Sequence, residues 1–347
     1  MKALPQNAVF SNRRTQDPCN RLTSRMTTAL RLARRGLVAL GFGALALTAT
    51  PANAEPYAYV PNEGAGTISV IDTAKDAVVG EIRTGGKPRG IALNPKTGLL
   101  YVSDSPSSSL KIIDIAKRAV VSQIALGKSP EGVYLSHDGT LVAVAVEEGD
   151  SVALIDTATA KLVANIPVSG KNPEHAVFSP NGAWLYVSSE DADTVEVIDV
   201  AKRAQVGSIK VGHRPRGIAF TPDSRVAYVA CEVASMIYAV DVASRKVIAP
   251  IKGGDFSNGV VMHPDGTRVY VSNGKSGSVS VIDTGTNTVV ASVIVGQRPW
   301  NMAITPDGRK VYVANGRSNS VSVIDTESNQ KLTDIAVGAL PWGVMIR

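Results

Sequence analysis

The sequence is poor in the residues that build redox, metal and covalent sites: of 347 residues, two are cysteine and four are histidine. Cys19 falls in a stretch that reads as a removable leader, so Cys231 stands alone in the remainder and no intramolecular disulfide is expected. A C-x-x-C-H segment is absent, which excludes covalent c-type haem, as is the G-x-S-x-G turn that carries a hydrolase nucleophile. His137, His213 and His263 occupy turn or variable loop positions with no second histidine at ligand spacing, so neither a structural nor a catalytic zinc site is expected. Helical periodicity is absent beyond the leader, whose apolar run is too short for a stop-transfer helix.

The leader is read from its chemistry. Arg31, Arg34 and Arg35 precede an uncharged apolar run over 36–47, and Ala52-Asn53-Ala54 supplies the small residues of a signal-peptidase site. Cleavage is expected before Glu55, dividing the chain into a polar extension plus signal peptide (1–54) and a periplasmic or secreted domain (55–347). The pair Arg34-Arg35 also fits a twin-arginine route, and Met26 offers an alternative start. The formal net charge of +6 belongs to this leader. It holds eight Lys and Arg against one acid, and the remaining 28 basic and 29 acidic residues net to −1. A near-neutral domain has no global field for polyanions, so nucleic acid is not an expected partner.

What is present is a repeat. An aspartate closing a "VID"-like run recurs at Asp72, Asp114, Asp156, Asp199, Asp241, Asp283 and Asp325, with spacings of 42 or 43. A second ladder, Tyr followed by Val, runs in step at Tyr59, Tyr101, Tyr186, Tyr228, Tyr270 and Tyr312, with Ala143-Val144 standing in once. Each unit holds four short β-branched runs separated by turns such as "HPDG" and "TPDG". Four strands per unit and seven units predict an all-β, seven-bladed propeller. The first unit begins at a second strand ("YAYVPN") and the last segment is a first strand ("PWGVMIR"), so a blade shared between the two ends closes the ring. The repeated aspartates are read as turn acceptors, because a catalytic carboxylate has no reason to recur in every blade.

The Tyr-Val and Val-Ile-Asp-Thr pattern, with Gly-x-x-Pro between blades, resembles the YVTN family of propeller repeats over all of 55–347. Within it, "GQRPW", "NGRSNSVSVID" and the final "PWGV" are similar to propellers associated with pyrroloquinoline-quinone-dependent alcohol catabolism. The resemblance implies an exported setting, and it implies no reaction.

Differences between repeats mark a candidate site. The residue after the inter-blade proline, or its equivalent, is Arg89, Glu131, Glu174, Arg216, Asn258, Trp300 and Trp342, and the connections between second and third strands add Glu63, Glu147, Glu190 and Glu232. His175, beside Glu174, is the one histidine expected at this mouth. Channel mouths are ordinarily charged and solvated; the two tryptophans are what depart from that. The expected role is a binding or accessory protein, a monomer that holds a small polar ligand or a periplasmic protein partner at the mouth. No catalytic set, metal or cofactor is expected, and a planar anion would suit Arg89 beside the indoles. Two other functions remain open: a lyase or lactonase using Glu131, Glu174 and His175 as acid/base or cation-binding groups, and a cell-surface interaction protein, since YVTN repeats occur there.

Overall fold

The computed structural model describes residues 56–346; the expected leader, its cleavage point and Cys19 lie outside the described residues. The β-branched runs form seven four-stranded antiparallel sheets. Blade 2 is typical, with strands Pro88–Asn94, Leu99–Asp104, Ser109–Asp114 and Ala119–Ala125 running from the channel outward. Blades 3 to 7 begin with inner strands Pro130–Leu135, Pro173–Phe178, Pro215–Phe220, Ser257–Met262 and Pro299–Ile304.

Blade 1 is the shared one. Its strands Tyr57–Asn62, Thr67–Asp72 and Ala77–Arg83 take their inner strand from Met345–Ile346, which pairs with Tyr59 and Ala58. Upstream, Pro341 bridges to Asn62, and the Trp342 N–H donates to the Pro61 carbonyl at 2.9 Å. Blade 7 grips blade 1 from the side: the Tyr312 hydroxyl bonds Asp76, and Lys310 Nζ lies 2.7 Å from its other oxygen.

The core sits between blades. One cluster packs Ala143, Val152 and Leu154 of blade 3 against Leu185, Val187 and Phe178 of blade 4, and the other clusters repeat this around the ring. The tyrosine ladder is part of it: Tyr101, Tyr270 and Tyr312 are wholly buried, and Tyr228 reaches across to Asn287 of blade 6 at 2.7 Å. All seven repeated aspartates accept bonds from the turn that follows, as Asp72 does from the Ala74 and Lys75 N–H groups and Asp325 from Ser328. Side-chain donors in those turns, with the backbone N–H groups, hold these carboxyls below the usual range, consistent with a structural role. Between the first and second strands, the left-handed φ of +77° at Gly266 and +75° at Gly308 explains the glycine of "HPDG" and "TPDG". The outermost strands expose Val79, Val121, Ile248 and Val290, and a register break where each meets the third strand twists that edge.

Candidate functional site

The connections entering the inner strands and those between second and third strands lie on one face of the ring, where they surround a cavity of about 370 Å³. Two backbone devices aim side chains into it. In blades 2 to 7 the pairing of first and second strands breaks its register just after the inter-blade proline or serine, and this bulge turns the following side chain toward the axis. The residue before the proline is left-handed in most blades, with φ of +53° at Ser129, +60° at Arg214 and +53° at Arg298. Serine hydroxyls lock the bulges between blades: Ser103 Oγ accepts from the Gly90 N–H at 2.9 Å and donates to the Glu131 carbonyl at 2.6 Å.

The structure brings Arg89, Glu131, Glu174, Arg216, Asn258, Trp300 and Trp342 together around this cavity, joined by Glu63, Glu147 and Glu190. Glu147 and Glu190 each open a one-turn 3-10 helix, Glu147–Gly149 and Glu190–Ala192, which the strand pattern did not indicate. His175 behaves differently from expectation. It is buried, its Nδ1 lies 2.7 Å from the Tyr134 hydroxyl, and it does not line the mouth. The bulge between Pro173 and His175 aims Glu174 at the mouth, while His175 turns toward the adjoining inner strand, where it meets Tyr134. Burial first, and Arg216 second, push its pKa down to about 3, which leaves a neutral ring unsuited to acid/base work at neutral pH.

Four lining residues escaped the sequence reading: Ser129, Arg214, Arg298 and Asn301. The first three occupy the pre-proline position, whose left-handed backbone is not visible in composition. Asn301 had a signal: the second residue after the inter-blade proline or serine is glycine in five blades (Gly90, Gly132, Gly217, Gly259, Gly343), and only His175 and Asn301 depart from it.

Every guanidinium at the mouth is engaged. Arg216 is held by Glu174 Oε1 at 2.6 Å, by Glu190, and by Glu232 Oε2 at 3.0 Å. Arg214 meets Glu190 Oε2 at 3.0 Å, and Arg298 meets Glu232 Oε1 at 2.6 Å. Arg89 pairs with Glu131 and, at 3.0 Å, with Glu63. Carboxylates are in surplus, six (Glu63, Glu131, Glu147, Glu174, Glu190, Glu232) against four guanidiniums. The surplus is held partly as protonated acid. Burial, then Glu174, lifts Glu131 to about 9 against the pull of Arg89, and the same two causes lift Glu190 to about 7 against Arg216 and Arg214. Burial would raise Glu232 also, but Arg216, Arg298 and Arg214 outweigh it and hold this carboxyl below its usual value.

The aromatic walls are braced. The Trp300 ring lies on Gly316, where a Cβ would fall 2.6 Å from Cζ3, and the Trp342 ring stacks at a tilt on His175 with centroids 5.9 Å apart. Cys231 is buried behind the mouth with its thiol pushed up to about 12 by burial, so it is not a nucleophile. Among the described residues, no group of three or more His, Cys, Asp or Glu side chains is arranged to hold a metal ion.

The state of Glu131 can be read from stability. Its native pKa lies above the unfolded value of 4.5, so the native chain keeps a proton that the unfolded chain loses, and this contribution fades as pH rises toward about 9. Glu131→Gln imitates the neutral acid and keeps an acceptor for Arg89. Relative to wild type, its melting temperature should therefore climb by on the order of 10 °C between roughly pH 5 and pH 9. A pH-independent difference, in scanning fluorimetry across that range, would show Glu131 ionised throughout.

Comparison with known proteins agrees with this architecture. The family model of the seven-bladed β-propeller lactonases matches residues 121–210 and 200–339, and that of the YNCE-like β-propellers matches residues 30–140. No curated protein matches the chain. Among solved structures, Kuenenia stuttgartiensis hydrazine synthase is similar with a TM-score of 0.71 at 24% identity, over 77% of this chain and 92% of that one. A functionally unknown protein from Desulfotomaculum acetoxidans gives 0.75 at 19% identity, over 84% and 98%. The dihydro-heme d1 dehydrogenase NirN gives 0.64 at 17% identity, over 83% and 74%. At such identities these three likenesses concern the fold alone, and none bears on the narrower resemblance to propellers of quinone-dependent alcohol catabolism. With both family matches spread over the blades and the ring closed by its own C-terminal strand, the chain belongs to the lactonase family of seven-bladed β-propellers.

Proposed function

We propose that the protein is an exported binding or accessory propeller that holds a small organic cation at the channel mouth. The observation behind this reading is the charge balance: four guanidiniums are all bonded to carboxylates, burial first and Glu174 second lift the pKa of two of the six carboxyls to about 9 and about 7, and two indoles complete the wall. In ring order, Trp300 and Trp342 belong to blades 7 and 1, and Glu131, Glu147, Glu174 and Glu190 to blades 3 and 4 across the channel. An ammonium group would relieve the repulsion among the carboxyls and lie against an indole face. A planar anion, expected from Arg89 beside the indoles, would have to displace Glu63 or Glu131 from that guanidinium. The likeness of the segments around 296–300 and 341–344 to propellers of quinone-dependent alcohol oxidation supports a place beside such a system, as an accessory to its periplasmic proteins.

A hydrolytic reading has one observation in its favour besides the family name. Carboxyls at about 9 and about 7 bracket the range in which a general acid or base works at neutral pH. Steady release of acid from simple lactones, followed by pH-stat, would bring that reading forward.

Calorimetric titration with benzylamine and with benzoate tests the binding reading. Benzylamine should bind more tightly than benzoate. Trp300→Ala and Glu174→Gln should each weaken it by roughly 1–3 kcal/mol, the range of a hot spot. Tighter binding of benzoate would reverse the assigned charge.

A further inference from the structure

Below the mouth the channel holds a second cavity of about 260 Å³. Its walls come from the same inner strands one step further along. The third residues after the inter-blade position, Ile91, Val133, Val260, Met302 and Val344, line it together with Ile304. The glycines just above let neighbouring strands come into backbone contact: a Cβ on Gly90 would lie 2.3 Å from the Glu131 carbonyl oxygen, and one on Gly259 would lie 2.5 Å from that of Trp300. Apart from Asn301, Tyr134 and the Trp342 ring, the cavity is therefore bounded by aliphatic side chains and backbone. No Asp, Glu, Lys, Arg or His lines it, and the hydroxyl of its one tyrosine, Tyr134, is bonded to the ring of His175.

The two cavities share Asn301 and Trp342, which form the neck between them. The neck is fixed by backbone bonds. The Trp342 N–H donates to Pro61, and the Trp342 carbonyl accepts from the Asn301 N–H at 3.3 Å and from its side-chain amide at 3.5 Å. A charged, aromatic chamber thus opens past an indole edge onto an uncharged apolar one.

We infer that the lower cavity is the second compartment of the ligand site and takes a short hydrocarbon tail carried by the cation whose head the mouth binds. The inference rests on the cation reading of the mouth, and a chain-length series separates the two. A tail leaving water for this chamber gains the transfer free energy of each methylene, about 0.8 kcal/mol or roughly fourfold in affinity. The mouth by itself supplies no such dependence.

The experiment is calorimetric titration of the protein with ethylamine, butylamine, hexylamine and octylamine. Affinity is expected to rise about fourfold per methylene and to level once the chamber is full. Val260→Phe and Ile304→Phe each put a ring into the chamber, and each should cut the octylamine-to-ethylamine ratio by about tenfold or more. Thermal melting reports whether each variant is folded; if one is not, the other carries the comparison, and the wild-type series stands by itself. Equal affinity along the series overturns this inference and leaves the mouth reading intact. A ratio unchanged in a folded variant also overturns it, because the tail then lies elsewhere. Failure of every amine to bind overturns the mouth reading and this inference with it.

Discussion

Deletion of residues 340–347 is expected to convert the protein to insoluble material. The segment supplies Met345 and Ile346 to the inner edge of blade 1, the Trp342 N–H bond to Pro61 and the bridge of Pro341 to Asn62. It also buries Val344 in the cluster that joins Ala58, Val60 and Ile71 of blade 1 to Tyr312 and Val323 of blade 7. Without it, blade 1 presents unpaired N–H and C=O groups to the channel, and two apolar layers face water. Each fully buried aliphatic or aromatic side chain contributes about 1.5–3 kcal/mol, so the loss is comparable with the ~5–15 kcal/mol that stabilises a typical domain. The exposed strand is then a template for pairing with other chains. Soluble fraction and circular-dichroism melting of the truncated chain are the readouts. An equally soluble product with an unchanged melting temperature would mean that the ring closes without this segment.

The second large effect is expected at Arg216, whose side chain is 14% exposed and serves three carboxylates on two blades. Arg216→Met keeps the length and removes the charge, leaving Glu174, Glu190 and Glu232 buried with only Arg214 and Arg298 nearby. Breaking a buried ion pair from one side costs about 3–5 kcal/mol, because the remaining charge has lost its partner. Urea unfolding near pH 7.5 should show a loss of this size. The pH dependence has a definite sign. The abandoned carboxyls can escape the penalty by taking up protons, so the gap to wild type should narrow as pH falls toward about 5. Arg216→Lys should recover only part of the loss, since one ammonium cannot reproduce a fork shared by three partners. A loss under about 1 kcal/mol at pH 7.5 would show that water already screens the cluster.

Repetition is what made the fold legible. A period of 42 or 43 residues, read from Asp72 to Asp325 and from Tyr59 to Tyr312, determines four strands per blade, the blade count and the sharing of blade 1 between the chain ends. The reason is physical: one blade cannot bury its faces alone, so each copy must repeat the same core and turn residues. The same logic exposed the mouth, because positions that vary while their neighbours repeat are free of the packing constraint, and Arg89, Glu131, Glu174, Arg216, Asn258, Trp300 and Trp342 do converge there. Tertiary structure alone decided the rest. The direction of His175 depended on the bulge that sends its neighbour Glu174 to the mouth, and Arg214 and Arg298 entered through a left-handed pre-proline backbone. Which groups pair depended on contacts between blades: Arg89 with Glu131 spans 42 positions and Arg298 with Glu232 spans 66. A sequence lists charges in order along the chain, but their protonation and their freedom to meet a ligand depend on distance and burial, which exist only once the ring has closed.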